Sequence, residues 1–261
     1  MITSSQNPKI KRIRGLLENR KDRQREKVFV IEGVRLTEEA LKSDSQIALV
    51  LYSAELSPRG LALVTQFSAL GCPVEEVDAG ILRSLSETET PQGILAILPQ
   101  PVSELPKIWD LLLVLDRIRD PGNLGTMLRN AAGAGVQAVV LTPGSVDAFR
   151  PKVVRAAMGA HFRLPILTLD WPEIIAACRQ STPQPAALLV ADSAGGEPCW
   201  DADLRQRRAL VIGSEADGPQ KAALEAANGL VHIPMPGKTE SLNAAAAAAI
   251  LLYEVVRQRN L

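Results

Sequence analysis

The chain has 261 residues, of which 46% are hydrophobic, 22% charged and only 3% aromatic, so any core must be aliphatic. That length suits one large domain or two compact ones, and no run of about 18 uninterrupted apolar residues is present to form a transmembrane helix. Lysines plus arginines and aspartates plus glutamates number 29 each, and this zero net charge taken alone argues against a nucleic-acid partner.

Charge distribution changes that reading at the start of the chain. Residues 1–27 hold nine lysines and arginines (Lys9, Lys11, Arg12, Arg14, Arg20, Lys21, Arg23, Arg25, Lys27) against three acids, leaving +6 here and −6 elsewhere. A basic arm of this kind can contact a polyanion, or it can be a solvated helix face of mixed charge. Met1 is followed by no apolar signal region, although the absence of acids before Glu18 is a feature shared with transit peptides. Cys72, Cys178 and Cys199 are odd in number, far apart and outside any CxxC pair, which predicts a reducing, cytoplasmic setting with neither disulfide framework nor zinc.

Next come strand-like runs at 28–31, 48–52 and 93–98, with helical patterns at 34–41 and 61–70 between them. Pro99, Pro101 and Pro106 punctuate a linker, which divides the chain into domains over 1–105 and 106–261. In the second part, continuous apolar runs at 111–115, 138–141, 187–190 and 209–212 suit strands buried on both faces. Helical patterns at 124–134, 152–158, 173–179 and 220–227 alternate with them, and a final helix is expected over 242–259. Alternation of this kind predicts an α/β domain with a parallel sheet.

Three segments follow strand ends, where open α/β sheets place their ligands. In the first, 116–130, the turn Asp120-Pro121-Gly122 precedes Asn123, which can cap a helix, and Arg129 lies six residues further on. Taken alone, Asn123 is a helix cap and Arg129 a surface residue. In the second, Gly213-Ser214-Glu215-Ala216-Asp217-Gly218-Pro219, the glycines allow close backbone approach, and Pro219 suits a first helical position. The third runs Ile233-Pro234-Met235-Pro236-Gly237-Lys238-Thr239-Glu240-Ser241-Leu242-Asn243 and presents two short polar side chains, Ser241 and Asn243, at a helix start.

Other matches fail on context. Gly133-Ala134-Gly135-Val136-Gln137-Ala138 fits a dinucleotide string but lies between a helix and a strand, the reverse of the order a phosphate turn needs. Gly237-Lys238-Thr239 looks like the end of a P-loop, but His232 stands where that pattern needs glycine. His161 and His232 lack neighbouring ligands, so packing or hydrogen bonding is expected of them rather than metal binding.

In order, the three segments resemble the motifs of the SpoU/TrmH family of RNA 2'-O-ribose methyltransferases in the SPOUT superfamily. Phe29-Val30-Ile31-Glu32-Gly33, Glu87-Thr88-Glu89-Thr90-Pro91-Gln92-Gly93 and Asn7-Pro8-Lys9-Ile10-Lys11 look like that family's RNA substrate-binding module, so the resemblance covers nearly the whole chain. It implies a deep trefoil knot in the second domain, a homodimer and S-adenosyl-L-methionine as methyl donor, with no metal. The cofactor cleft implied is Leu141, Thr142, Pro143, Gly144, Gly213, Glu215, Gly218, Ile233, Pro234, Met235, Ser241 and Leu242. Arg129 is implied at the attacking hydroxyl, with Asn123, Glu215, Ser241 and Asn243 orienting groups around it.

RNA contacts are expected from Lys9, Lys11, Arg12, Arg14, Arg23 and Arg25. Ribose methylation requires RNA, since only RNA carries the 2'-hydroxyl. A full front domain favours ribosomal RNA of the 23S type over tRNA, whose enzymes in this family usually carry only short extensions. Methylation of tRNA or of a base, and a non-catalytic RNA binder on the same scaffold, are the alternatives.

Overall fold

The structure, a computed structural model, describes residues 1–43, 45–237 and 241–260. Lys238, Thr239 and Glu240, the middle of the third motif, therefore lie outside the described residues. Two units are present: Met1–Pro101 with Phe149–Phe162, and Val102–Ala148 with Arg163–Leu261.

The first unit begins with α1 (Pro8–Glu18), where Pro8 takes a first-turn position and the Asn7 side chain accepts from Lys9 N at 2.9 Å. It continues through α2 (Arg20–Glu26), β1 (Val28–Glu32), α3 (Val34–Lys42), β2 (Leu49–Tyr52), α4 (Pro58–Ala69), β3 (Val74–Glu76), α5 (Ala79–Arg83) and β4 (Ile94–Pro99). Strand order is β1-β4-β2-β3, antiparallel except for β2 with β3. Alternate residues of β1 enter different cores: Phe29 and Ile31 join Leu36, Leu63 and Phe67, whereas Val28 and Val30 join Ile10, Ile13 and Leu16. Both sheet faces are thus covered, which explains why the strands read as continuous apolar runs.

The second unit is α/β. Its elements are β5 (Leu111–Leu115), α6 (Pro121–Gly133), β6 (Ala138–Leu141), then, after a segment belonging to the first unit, β7 (Ile166–Thr168), α8 (Trp171–Gln180), β8 (Ala187–Ala191), β9 (Glu197–Pro198), β10 (Arg208–Ile212), α9 (Lys221–Ala226), β11 (Gly229–His232) and α10 (Ala244–Arg259). All seven strands run parallel in the order β7-β6-β5-β10-β8-β11-β9. Leu112, Val140, Val190 and Val211 pack under Trp171 and Ile174 of α8. Leu113, Val139 and Leu210 are buried as well, and α10 packs against α6. The strands not foreseen, β3, β7, β9 and β11, have at most four residues each, and none carries four consecutive apolar residues.

The remaining helix, α7 (Pro151–Ala157), lies within the sequence interval expected for the second domain but packs with the first unit. Its Val154 joins the core of Phe29 and Ile31, together with Phe149 and Phe162. Helical periodicity reveals an apolar face but not which core receives it. Among the described residues no helix is long and apolar enough to cross a membrane.

Candidate cofactor cleft and reaction site

The carboxyl ends of β8, β10 and β11 open on a cleft of about 390 Å³. Its first wall follows β10. A Cβ on Gly213 would stand 2.3 Å from Pro219 N and 2.4 Å from Gly218 C, so only glycine lets the chain fold back here. Gly218, at φ 63°, completes the turn. Ser214 N donates to Gly218 O at 3.2 Å and Gly218 N to Ser214 O at 3.0 Å, closing the loop on itself. Helix α9 then begins at Lys221 with Gln220 as its cap residue, so Pro219 precedes the helix and does not take its first position.

A second wall follows β11 and contributes Ile233, Met235, Ser241 and Leu242. The third comes from the end of β8, with Ala191, Asp192 and Ser193. Apolar side chains (Ile212, Val231, Leu251) and polar ones (Asp192, Ser193, Ser214, Glu215) share the lining. A site of this size and mixed character suits a small-molecule cofactor, for which about 300 Å³ is a common lower bound.

One chain of hydrogen bonds joins the three motifs. Asp120, not Asn123, is the N-cap of α6: its carboxylate accepts from Asn123 N at 2.7 Å. Asn123 therefore sits inside the first turn with its side chain available. Its Nδ2 donates to Glu215 Oε1 at 2.6 Å, and its Oδ1 accepts from Asn243 Nδ2 at 3.1 Å. Asn243 also caps α10, its Oδ1 accepting from Ala245 N at 3.0 Å and Ala246 N at 3.2 Å. Residues 92 and 120 positions from Asn123 thus meet on one amide, beside the cleft that Glu215 lines.

Of the residues expected at the cofactor, Gly213, Glu215, Gly218, Ile233, Met235, Ser241 and Leu242 line the cleft, while Pro234 lies in the same segment without lining it. Leu141, Thr142, Pro143 and Gly144 do not line this cleft. Strand β6 is separated from β10 by β5, so its end lies away from a cleft built on β10, β8 and β11. There Thr142 is buried, donating to Asp116 Oδ1 at 2.8 Å and accepting from Arg117 N at 3.0 Å. Asp192 and Ser193 line the cleft without having been singled out from the sequence, although they open a polar, glycine-rich stretch one residue after the 187–190 run.

Arg129 does not line the cleft. Six residues advance a helix by about 240° beyond one full turn, so Arg129 and Asn123 face different sides. Arg129 is exposed and makes no hydrogen bond or ion pair among the described residues. Thr126 and Gly133 share that exposed side. On α10 the exposed side is Ala246, Ile250, Tyr253 and Arg257, and Tyr253 Oη would be 3.2 Å from a Cβ on Gly133, so the two faces adjoin.

Part of the basic arm is paired. Lys9 contacts Glu75, Arg12 meets Glu26 at 2.7 Å, and Arg25 meets Asp22 at 2.8 Å. Arg23 is a correction: it is 3% exposed and donates to Leu16 O at 2.6 Å and Leu17 O at 3.1 Å, satisfying carbonyls at the end of α1 rather than meeting solvent. Lys11 and Arg14 have no ion pair among the described residues. His161 packs with Phe29 and Phe149, and His232 Nδ1 lies 3.1 Å from Gly196 O.

Comparisons with known proteins agree with this geometry. The sequence profile of the SpoU rRNA Methylase family matches residues 110–253, and that of an MRM3-like substrate binding domain matches 7–96. The chain is 35% identical to a 23S rRNA (guanosine(2553)-2'-O)-methyltransferase of Bacillus subtilis, covering 97% of this chain and 98% of that one. It is 32% identical to a 23S rRNA (uridine(2479)-2'-O)-methyltransferase of Streptomyces viridochromogenes, covering 98% and 92%. Among solved structures, the SpoU methyltransferase AviRb from Streptomyces viridochromogenes, in complex with AdoMet, superposes with TM-score 0.86 at 30% identity, covering 98% and 99%.

Proposed function

The chain belongs to the SpoU rRNA methylase family, and we propose that it transfers the methyl group of S-adenosylmethionine to a ribose 2'-hydroxyl of 23S-type ribosomal RNA. The hydrogen-bonded chain Glu215–Asn123–Asn243 beside the cleft carries this reading, because it joins three distant motifs at one place for no evident packing reason. Relatives that match along nearly their whole length include two named for 2'-O-methylation of 23S rRNA, which supports that substrate over tRNA.

When bound, S-adenosylmethionine supplies a methyl carbon made electrophilic by the neighbouring sulfonium charge. The part left to the chain is positioning and charge. Asp192 and Glu215 set carboxylates in the cleft lining, favourable to a cationic guest. Asn123 fixes the Glu215 carboxylate, and Asn243 fixes Asn123 while capping α10, so the start of that helix and the reaction site are held together. Arg129 binds the RNA: its guanidinium grips a phosphate bidentately and stabilises charge growing on the ribose oxygen as the proton leaves. A guanidinium is a poor proton acceptor, so an electrostatic role suits it better than that of base.

Two copies pair through the exposed sides of α6 and α10, a reading supported by Ile250 (43% exposed) and Tyr253 (53%) lying uncovered there. Such a dimer carries Arg129 at its interface. Residues 1–105 serve as the RNA-binding part and 106–261 as the methyltransferase, with the C-terminal segment threaded as a trefoil knot. In support, β11 lies beyond β8 while α10, which follows it, packs back on α6. Three free cysteines accord with a cytoplasmic setting.

Competition between acceptors tests the substrate. Unmodified 23S rRNA and unmodified tRNA, offered together with labelled methyl donor, should give label in the ribosomal RNA at least tenfold above the tRNA. Preferential labelling of tRNA overturns the substrate assignment, and the absence of saturable cofactor binding overturns the activity.

A further inference from the structure

We propose that Asp116 is a positioning residue that holds the cofactor loop closed from outside the cleft, an inference that rests on the methyltransferase reading above. Asp116 follows β5 and is fully buried, at 0% exposure, yet it does not itself line the cleft. It is bonded to both ends of the 213–219 loop. Its backbone N donates to Ile212 O at 2.9 Å, where β10 ends. Its Oδ2 accepts from Gln220 N at 2.6 Å, where α9 begins. One residue thus spans the seven-residue segment that supplies Gly213, Glu215 and Gly218.

Everything around the carboxylate is a donor. Oδ1 accepts from Gln220 Nε2 at 2.5 Å and from Thr142 Oγ1 at 2.8 Å. The Thr142 hydroxyl already accepts from Arg117 N at 3.0 Å, so its own proton is directed at Asp116. Arg117 adopts a left-handed conformation, φ 56°, uncommon for a residue with a Cβ. Such backbone settings persist where surroundings over-determine them. The pocket therefore needs an acceptor-only group, and an asparagine would turn an N–H₂ towards a donor. Of the loop's other ties, Arg119 to Asp217 at 3.1 Å is exposed and contributes little, and Asn123 to Glu215 at 2.6 Å holds a side chain within the loop rather than its two ends.

The test separates a positioned loop from mere stability. Binding of S-adenosylmethionine is measured by calorimetry, beside thermal unfolding and KM and kcat for methyl transfer. Asp116→Asn should raise Kd and KM for the cofactor at least tenfold while kcat at saturating cofactor stays within about threefold. Gln220→Glu, which sets two carboxylates face to face, should weaken binding similarly. A folded Asp116→Asn protein with unchanged Kd overturns the proposal. Should Asp116→Asn not fold cooperatively, Gln220→Ala decides: about threefold weaker cofactor binding upholds the role, and unchanged binding refutes it. If the unsubstituted chain itself binds no cofactor, the methyltransferase reading fails and this inference fails with it.

Discussion

Among single residues, Asn123 holds the site together. Replacing it by alanine removes the donor to Glu215 Oε1 and the acceptor for Asn243 Nδ2, leaving two polar groups to find other partners. The loss should lower kcat/KM about a hundredfold, equivalent to roughly 2.7 kcal/mol. Steady-state kinetics on ribosomal RNA checks this, and an effect below threefold would remove Asn123 from the site. Gly213→Ala acts differently, by forcing a Cβ against the Gly218–Pro219 backbone. Cofactor affinity should fall at least tenfold by calorimetry, because the neighbour that must yield is main chain rather than a flexible side chain.

The residues of this site were legible in the sequence as strings, but their roles were not. Asn123 reads as a helix cap because Asp120 and Asn123 both favour that position, and only the packed turn shows which of them takes it. Glu215 and Asn243 could be placed beside it through family resemblance alone, since no spacing rule links residues about a hundred positions apart. That the Leu141–Gly144 segment does not line the cleft was not legible, because strand order in a parallel sheet does not follow chain order.

At the scale of elements, α1 and α2 show how a basic run divides between structure and contact. Arg23→Ala removes two hydrogen bonds to α1 carbonyls from a charged, buried donor and should cost about 2 kcal/mol by denaturant unfolding, without changing the salt dependence of RNA binding. Lys11→Ala and Arg14→Ala should behave the opposite way. Stability stays unchanged, and each loses up to about one unit of slope in log K against log salt. A solvated face and a contact surface look identical in composition, so only burial and pairing could separate these arginines.

Helix α8 carries a second measurable signature. Burial pushes the Cys178 thiol up from 9.0 to about 11. Once unfolded, that thiol ionises at lower pH than it does when buried, so its contribution to stability is complete below about pH 9 and declines as pH rises towards 11. The difference amounts to about 2.7 kcal/mol at most. Unfolding free energy measured between pH 8 and 11 should therefore fall more steeply for the native chain than for Cys178→Val, and parallel profiles would contradict the assignment.

At the scale of the whole molecule, two units are legible early because the proline-rich stretch near residue 100 punctuates the chain, whereas the return of Phe149–Phe162 to the first unit is not. The pairing of two copies proposed above uses the uncovered sides of α6 and α10. A variant with Ile250→Glu and Tyr253→Glu should sediment at 28.1 kDa rather than twice that mass, with RNA methylation reduced at least tenfold. A monomeric native chain of full activity would exclude the dimer.

The chemistry of the product supplies the decisive test of ribose methylation. A 2'-O-methyl group blocks attack of that oxygen on the neighbouring phosphate, so alkali cannot cleave the linkage that follows it. Unmodified large-subunit ribosomal RNA is incubated with the protein and labelled S-adenosylmethionine, hydrolysed in alkali, and separated by size. Label is expected in an alkali-resistant dinucleotide, reduced at least a hundredfold with Arg129→Ala. Label released as a mononucleotide would mean a methylated base and contradict ribose methylation; no label above background on ribosomal RNA would contradict the enzyme itself.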